Sequence, residues 1–307
     1  MPDALYPSSE RFDVVECEGC GLGYVNPRPS AAEMQRYYPP EYYGGFSGDA
    51  EYHQARYARQ AAYLDTVTPS DRPPRLLDIG CAHGDFPRFM KARGWDVEGV
   101  EFSTATKPID DFKVYRGDFT QVPTAENQYD AVTAWAVMEH LHDPAAYFRR
   151  VAAVLRPGGI FIFLVTNFDS LASRSLFGDD VPRHLYFFTE GTVRRYLSNG
   201  GLRLELADHS NAIFEIPATN WLPYLVRRLT GRPFRWEDRR SLVQFRRTHH
   251  LPSGPRSALR FFLSSPMSVV DRALVPLLDR YFMWRRSYSI VTYVARKSDP
   301  SPANAGD

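Results

Sequence analysis

The chain has 307 residues, 44% hydrophobic and 24% charged, with a net charge of +1, proportions that exclude a disordered or fibrous protein. That length holds one full α/β domain with appendages. Cys17, Cys20 and Cys81 are too few for a disulfide framework, and Met1 to Glu10 lacks the basic start and apolar run of a signal peptide, so a cytoplasmic protein is expected.

In chain order, residues 1–48 read as an aromatic N-terminal arm, in which Ser30-Ala31-Ala32-Glu33 is a capping box opening a short helix. Arg75 to Ile79 is a short apolar run ending in Gly80, the shape of a buried parallel strand. A helix over about Phe86 to Arg93 closes at Gly94. Further strands are expected at Asp96 to Glu101, Val114 to Arg116 and Tyr129 to Ala134. A helix from Pro144 to Leu155 carries proline in its first turn. Pro157-Gly158-Gly159 then turns into the strand Ile160 to Val165. A helix from Glu190 to Asn199 ends at Gly200-Gly201, and strands at Leu202 to Ala207 and Ser289 to Ala295 complete the set. This alternation predicts an α/β chain: a Rossmann-like, doubly wound, mostly parallel seven-stranded sheet, with ligands at the carboxyl ends of the strands. The expected division is an arm at 1–48, a core at 49–210 plus 289–298, an insertion at 211–288 and a tail at 299–307.

The insertion before the last strand is too long for a loop and reads as a helical cap broken by prolines. Its apolar part from Phe261 to Met283 is interrupted by Asp271, Arg272, Asp279 and Arg280, which makes a poor membrane span. From Trp221 to Lys297 there are 16 Lys+Arg against 4 Asp+Glu, a local balance of +12 that leaves −11 for the rest. Three readings stay open: a cap turning arginine to water, an amphipathic surface for anionic membrane, or a pocket for a phosphorylated acceptor.

The most informative segment is Asp78-Ile79-Gly80-Cys81-Ala82-His83-Gly84-Asp85-Phe86, between a strand and a helix. A dinucleotide fingerprint needs glycine at 80, 82 and 85, and Ala82 and Asp85 occupy the last two places. An acid at the helix start repels a pyrophosphate, whereas Asp78 and Asp85 suit a ligand bearing an ammonium and a sulfonium. Glu101 ends the next strand, where an acid accepts ribose hydroxyls. Asp118 follows the third strand, placed to accept an adenine amino hydrogen beside a stacked Phe119.

Together with Gly117-Asp118, Met138-Glu139-His140-Leu141, Asp143-Pro144 and Leu155-Arg156-Pro157-Gly158-Gly159, these residues resemble the class I methyltransferases. More narrowly, Pro182-Arg183-His184-Leu185-Tyr186, Cys17 to Gly21 and Asn26-Pro27-Arg28-Pro29 resemble the small-molecule branch related to ubiquinone-biosynthesis methyltransferases. The resemblance covers 17–210 and the last strand, and fails over 211–288. It implies S-adenosylmethionine held by Asp78, Gly80, Ala82, Gly84, Glu101, Phe102, Asp118 and Phe119, with Ala134 and Trp135 along its methionine part.

Methyl transfer is an in-line displacement in which positioning dominates, and a base is needed only for an alcohol, phenol or acidic carbon. His140 and His184 follow strands four and five at the catalytic edge and are the candidate bases; a helix-entry role for His140 and a loop-anchor role for His184 are the rival readings. Arg183, Tyr186, Tyr42 and Tyr43 are the expected substrate contacts. Cys17 and Cys20 make half a zinc knuckle with no second ligand pair nearby, so no metal is expected. The expected partner is a small-molecule methyl acceptor. Two alternatives are a nucleic-acid methyltransferase using the insertion and a non-catalytic cofactor-binding module. Ala134-Trp135-Ala136-Val137, in place of an Asn/Asp-Pro-Pro-aromatic motif, disfavours the nucleic acid.

Overall fold

The computed structural model describes residues 10–38, 50–67, 71–103, 106–170, 173, 180–210, 212–214, 229–230 and 266–298. Tyr42, Tyr43 and most of the insertion lie outside the described residues.

Seven strands form the central sheet: β3 (Arg75–Ile79), β4 (Asp96–Glu101), β5 (Lys113–Arg116), β6 (Tyr129–Trp135), β7 (Leu155–Thr166), β9 (Leu202–Asp208) and β10 (Ile290–Lys297). Their order is β5-β4-β3-β6-β7-β10-β9. The first five run parallel, whereas β10 is antiparallel to both β7 and β9. The expected mostly parallel sheet is therefore present. The turn expected at Pro157–Gly159 lies inside β7 as a bulge: β6 pairs Tyr129 with Leu155 and then Ala131 with Ile160. Gly158 takes a φ of +72° there.

Strand alternation sorts the core into two layers. Leu77, Ile79, Val132, Ala134, Phe161 and Phe163 pack against Phe148 and Val151 of α4 (Pro144–Val154) and Val193 and Leu197 of α5 (Glu190–Asn199). On the other face Leu76, Val97, Ala131, Ile160 and Ile162 meet α2 (Ala50–Ala62) through Tyr57 and Ala61, and α3 (Asp85–Lys91) through Phe86 and Met90. The helix starts follow the sequence. Asp143 accepts the Ala146 N–H ahead of Pro144, and Thr189 and Thr192 form a reciprocal cap on α5.

The N-terminal arm contains a sheet that the sequence did not announce. β1 (Asp13–Glu16) and β2 (Gly23–Asn26) form an antiparallel hairpin, and β2 pairs with β8 (Tyr186–Phe187), which follows the central β7. Phe12, Val25, Met34, Phe168, Leu185 and Phe187 make its core. Gly23 is required by packing, since a Cβ there would sit 2.7 Å from the Phe168 ring. The Ser30–Glu33 capping box is present: the Ser30 N–H donates to the Glu33 carboxylate at 2.8 Å and the Glu33 N–H to Ser30 Oγ at 3.3 Å, opening α1 (Ala31–Met34). Before β10 runs α6 (Pro266–Trp284), with Pro266 as its first residue and Pro276 inside it.

Candidate functional site

The turn after β3 is held against β4. The N–H groups of Gly80 and Cys81 both donate to the Val100 carbonyl, at 2.8 and 3.1 Å, and Gly84 N–H donates to Cys81 carbonyl at 2.7 Å. Gly80, Ala82 and Gly84 all have positive φ, at +74°, +49° and +79°. Position 80 excludes a side chain as well: a Cβ would stand 2.5 Å from Val137 Cγ2. Ala82 pays for the same left-handed turn without glycine's freedom.

Glu101 closes this turn. One of its oxygens accepts the Ala82 N–H at 2.8 Å and the other the Ser103 N–H at 2.7 Å, while the side chain is buried. Each carboxylate oxygen retains a further lone pair for hydroxyl donors. Asp78 lies behind the turn, 3% exposed, and accepts the Thr133 hydroxyl at 2.6 Å. Burial pushes its carboxyl up to about 7, and the neighbouring Glu101 charge adds to the rise while Thr133 opposes it. A desolvated acid of this kind gains most from a cationic ligand. Asp85 is by contrast exposed and 3.6 Å from Arg88.

Asp118 accepts both the backbone N–H and the hydroxyl of Thr120 through one oxygen, at 2.8 and 2.7 Å, leaving the other oxygen outside that turn. Phe102 is 61% exposed at the sheet edge. Phe119 corrects the sequence expectation. It is fully buried against Tyr147, ring centroids 5.6 Å apart, and has no open face on which an adenine could stack. The Ala134 side chain is also fully buried in the core, so only its backbone reaches the edge. Trp135 packs edge-on to Phe86 at 5.5 Å, and its indole N–H is buried without a hydrogen-bond partner. The sequence reading missed α2, whose Tyr57 lies over Phe86 and Phe89, with centroids 6.3 and 5.9 Å away. Its only signal was a Tyr and Arg-rich helix immediately ahead of β3.

His140 and His184 are brought together, rings edge to face with centroids 4.8 Å apart. Burial lowers both pKa values, that of His184 far below the usual range with the charges of His140 and Arg183 adding to the effect. His140 Nδ1 lies 3.0 Å from the Arg183 carbonyl oxygen and 2.9 Å from the Tyr38 hydroxyl. The arm therefore reaches this site through Tyr38.

One expected substrate contact, Arg183, is structural. Arg183 is fully buried; its guanidinium donates to Asp180 at 2.6 and 2.8 Å and to the Tyr37 carbonyl at 3.0 Å. That set pins the arm to the core and leaves no surface for a ligand. The Tyr186 hydroxyl is engaged by Arg28 and by the His142 carbonyl, 3.2 Å away. Cys17 and Cys20 form a tight knuckle, with the N–H groups of Cys20 and Gly21 both on the Cys17 carbonyl at 3.3 and 2.8 Å. The hydrogen bond from Cys20 holds the Cys17 thiol below its usual pKa.

The methyltransferase-domain family model matches residues 50–207. Over 104 residues the chain is 32% identical to a ubiquinone biosynthesis O-methyltransferase of Acinetobacter baumannii, covering 30% of this chain and 44% of that one. The chain thus spans less than half the length of such relatives. The fold matches a SAM-dependent methyltransferase from Archaeoglobus fulgidus at a TM-score of 0.51 and 16% identity, over 81% of this chain and 95% of that one. It also matches a Haemonchus contortus phosphoethanolamine N-methyltransferase 2 solved with S-adenosyl-L-methionine, at 0.50 and 15% identity, over 87% and 59%.

Proposed function

Since the chain belongs to the methyltransferase-domain family, we propose that it is an S-adenosylmethionine-dependent methyltransferase that methylates an oxygen, nitrogen or carbon atom of a small metabolite. One observation carries this reading: Asp78, the Gly80–Gly84 turn and Glu101 form a single unit at the carboxyl ends of β3 and β4. Glu101 would hold the ribose hydroxyls, Phe102 would flank the adenine, and Asp118 would take its amino group. Asp78 and the orphaned Trp135 N–H suit the ammonium and carboxylate of the methionine part. The acids and the bulky Val137 over Gly80 disfavour a pyrophosphate.

The acceptor would sit beyond Trp135, facing His140 and His184. Two neutral imidazoles there are positioned to activate a proton-bearing acceptor atom. Methyl-labelled cofactor incubated with the protein and cell extract, followed by identification of the labelled product, tests the reading; label confined to the cofactor across extracts would leave a cofactor-binding module instead.

The same reading keeps the arm, core, insertion and tail as the parts of the chain, with the arm joined to the core through the β2–β8 pairing and the insertion as a cap over the acceptor. A peripheral position at an anionic membrane is favoured by α6. Val270, Leu274, Leu277, Tyr281 and Trp284 are all exposed, at spacings of 4, 3, 4 and 3 that place them on one helical stripe. Arg285 lies over the Trp284 ring at 5.8 Å. No helix among the described residues is long and apolar enough to cross a membrane.

A further inference from the structure

Beside the two histidines stands a third donor that the methyl-transfer reading does not use. Glu139 is 1% exposed, and one donor atom from each of Glu139, His140 and His184 lies within 4.8 Å of the others. Glu139 and His140 belong to the short helical turn Met138–His140 that follows β6. His184 comes from the segment after β7, and the Leu185 N–H clamps that segment to the Glu139 carbonyl at 2.8 Å. Two separate chain segments are thus locked so that their side chains converge.

The hydrogen bonding prepares these rings as ligands. The Arg183 carbonyl can only accept, so His140 Nδ1 carries the hydrogen, which Tyr38 Oη shares; the lone pair is left on Nε2. Metal-bound histidines have this arrangement, with the remote N–H fixed on a carbonyl. On His184, Nδ1 is buried and has no hydrogen-bond partner. A buried nitrogen lacking a partner thus belongs to the same cluster as a buried carboxylate and a second imidazole.

We propose that Glu139, His140 and His184 bind a divalent first-row transition cation. Two imidazoles and one carboxylate favour zinc, iron, cobalt or nickel over magnesium and calcium, which prefer all-oxygen shells. Donors about 2.0–2.2 Å from one tetrahedral ion lie ~3.4 Å apart, so pairs now up to 4.8 Å apart would close by up to about 1.4 Å on binding. Three protein ligands leave open positions, the pattern of a catalytic rather than a structural site. An acceptor oxygen bound at such a position would be polarised by the ion. This role rests on the proposed methyl transfer and takes the place of proton abstraction by the two imidazoles, whose lone pairs the ion would occupy; the site itself does not rest on it. It is also separate from the cysteine knuckle, where the sequence reading weighed and dismissed zinc.

Cobalt(II) added to chelator-treated protein is the probe, read by its visible d–d absorption and by calorimetry, with S-adenosylmethionine binding measured on the same samples. The expected result is one cobalt per chain, with affinity falling about 100-fold or more in Glu139→Gln and in His184→Ala and unchanged in Cys17→Ser. Cofactor affinity and thermal unfolding should stay near wild type in all three variants. Cobalt bound no more tightly by wild type than by His184→Ala, or lost only with Cys17→Ser, overturns the site. A protein that binds cobalt as stated but not S-adenosylmethionine overturns the methyl-transfer reading and leaves the metal site standing.

Discussion

Glu101 at the end of β4 accepts the N–H of Ala82 in the turn after β3, at 2.8 Å. One carboxylate therefore shapes the loop and presents itself to whatever the loop holds. Removing it should disturb both. Glu101→Ala is expected to weaken S-adenosylmethionine binding by about 1–3 kcal/mol, the range for a lost charge-assisted hydrogen bond. Calorimetry checks this, with NAD as the ligand that should not bind; an unchanged affinity removes Glu101 from the site.

Asp78 ties stability to pH. Its folded pKa of about 7 stands above the unfolded value of about 3.9, so the fold binds the proton more tightly than the unfolded chain does. Ionising it costs stability progressively as pH rises from about 4 to 7, up to an upper limit of about 4 kcal/mol. Asp78→Asn keeps an acceptor for Thr133 and should raise the unfolding free energy of the ligand-free protein at pH 8. The same change should abolish most cofactor binding. In wild type, cofactor affinity should fall by up to about tenfold per pH unit below 7, since the cationic ligand needs the carboxylate. Denaturant titrations at pH 5 and 8 and calorimetry across that range read both effects.

The turn itself separates space from backbone conformation. Gly80→Ala introduces a Cβ 2.5 Å from Val137 Cγ2 at a φ of +74°, and should cost more than the roughly 1–2 kcal/mol of the left-handed backbone alone. Adding Val137→Ala should recover only the steric part. At Ala82, whose φ is +49°, Ala82→Gly should be neutral to stabilising by up to about 1 kcal/mol. Denaturant midpoints of the three variants decide.

Arg183 is predicted to act on stability. Arg183→Ala leaves the Asp180 carboxylate and the Tyr37 carbonyl without their buried partner, and should cost about 3–5 kcal/mol. Cofactor affinity measured below the unfolding transition should be unchanged. Loss of acceptor affinity without loss of stability would return Arg183 to the substrate role.

The exposed stripe on α6 should carry the protein onto anionic vesicles at low salt and not onto neutral ones. Trp284→Ser with Arg285→Gln and Arg286→Gln should abolish the sedimentation. No sedimentation with acidic vesicles by the wild type removes the membrane reading.

The central sheet was legible because its buried strands are short apolar runs, some bounded by glycine or proline, as at Leu76–Gly80 and Pro157–Val165. The glycine turn and the acids at strand ends could be placed for the same reason. The N-terminal sheet was not, because β1 and β2 are four residues each, β1 with no buried residue, and β8 pairs with β2 from more than 150 positions away. Arg183 misled for a related reason. An arginine in an aromatic segment reads as a ligand contact until Asp180 and the Tyr37 carbonyl meet it in three dimensions. Phe119 read as a stacking ring because sequence gives its position after β5 but not the Tyr147 that covers it. Glu139 was quoted within a motif and given no task, since its nearness to His184 depends on the pairing of two distant segments.

The place of β10 between β7 and β9 has a consequence for synthesis. Both neighbours are translated before it, and β7 spends the interval as an unpaired edge whose Ile160, Phe161, Ile162, Phe163 and Leu164 are fully buried or nearly so in the finished protein. At ~5–20 residues per second, ribosomal elongation from Asp208 to Ile290 takes roughly 4–16 s. For that time the nascent chain exposes a hydrophobic edge of the kind that invites pairing with another chain.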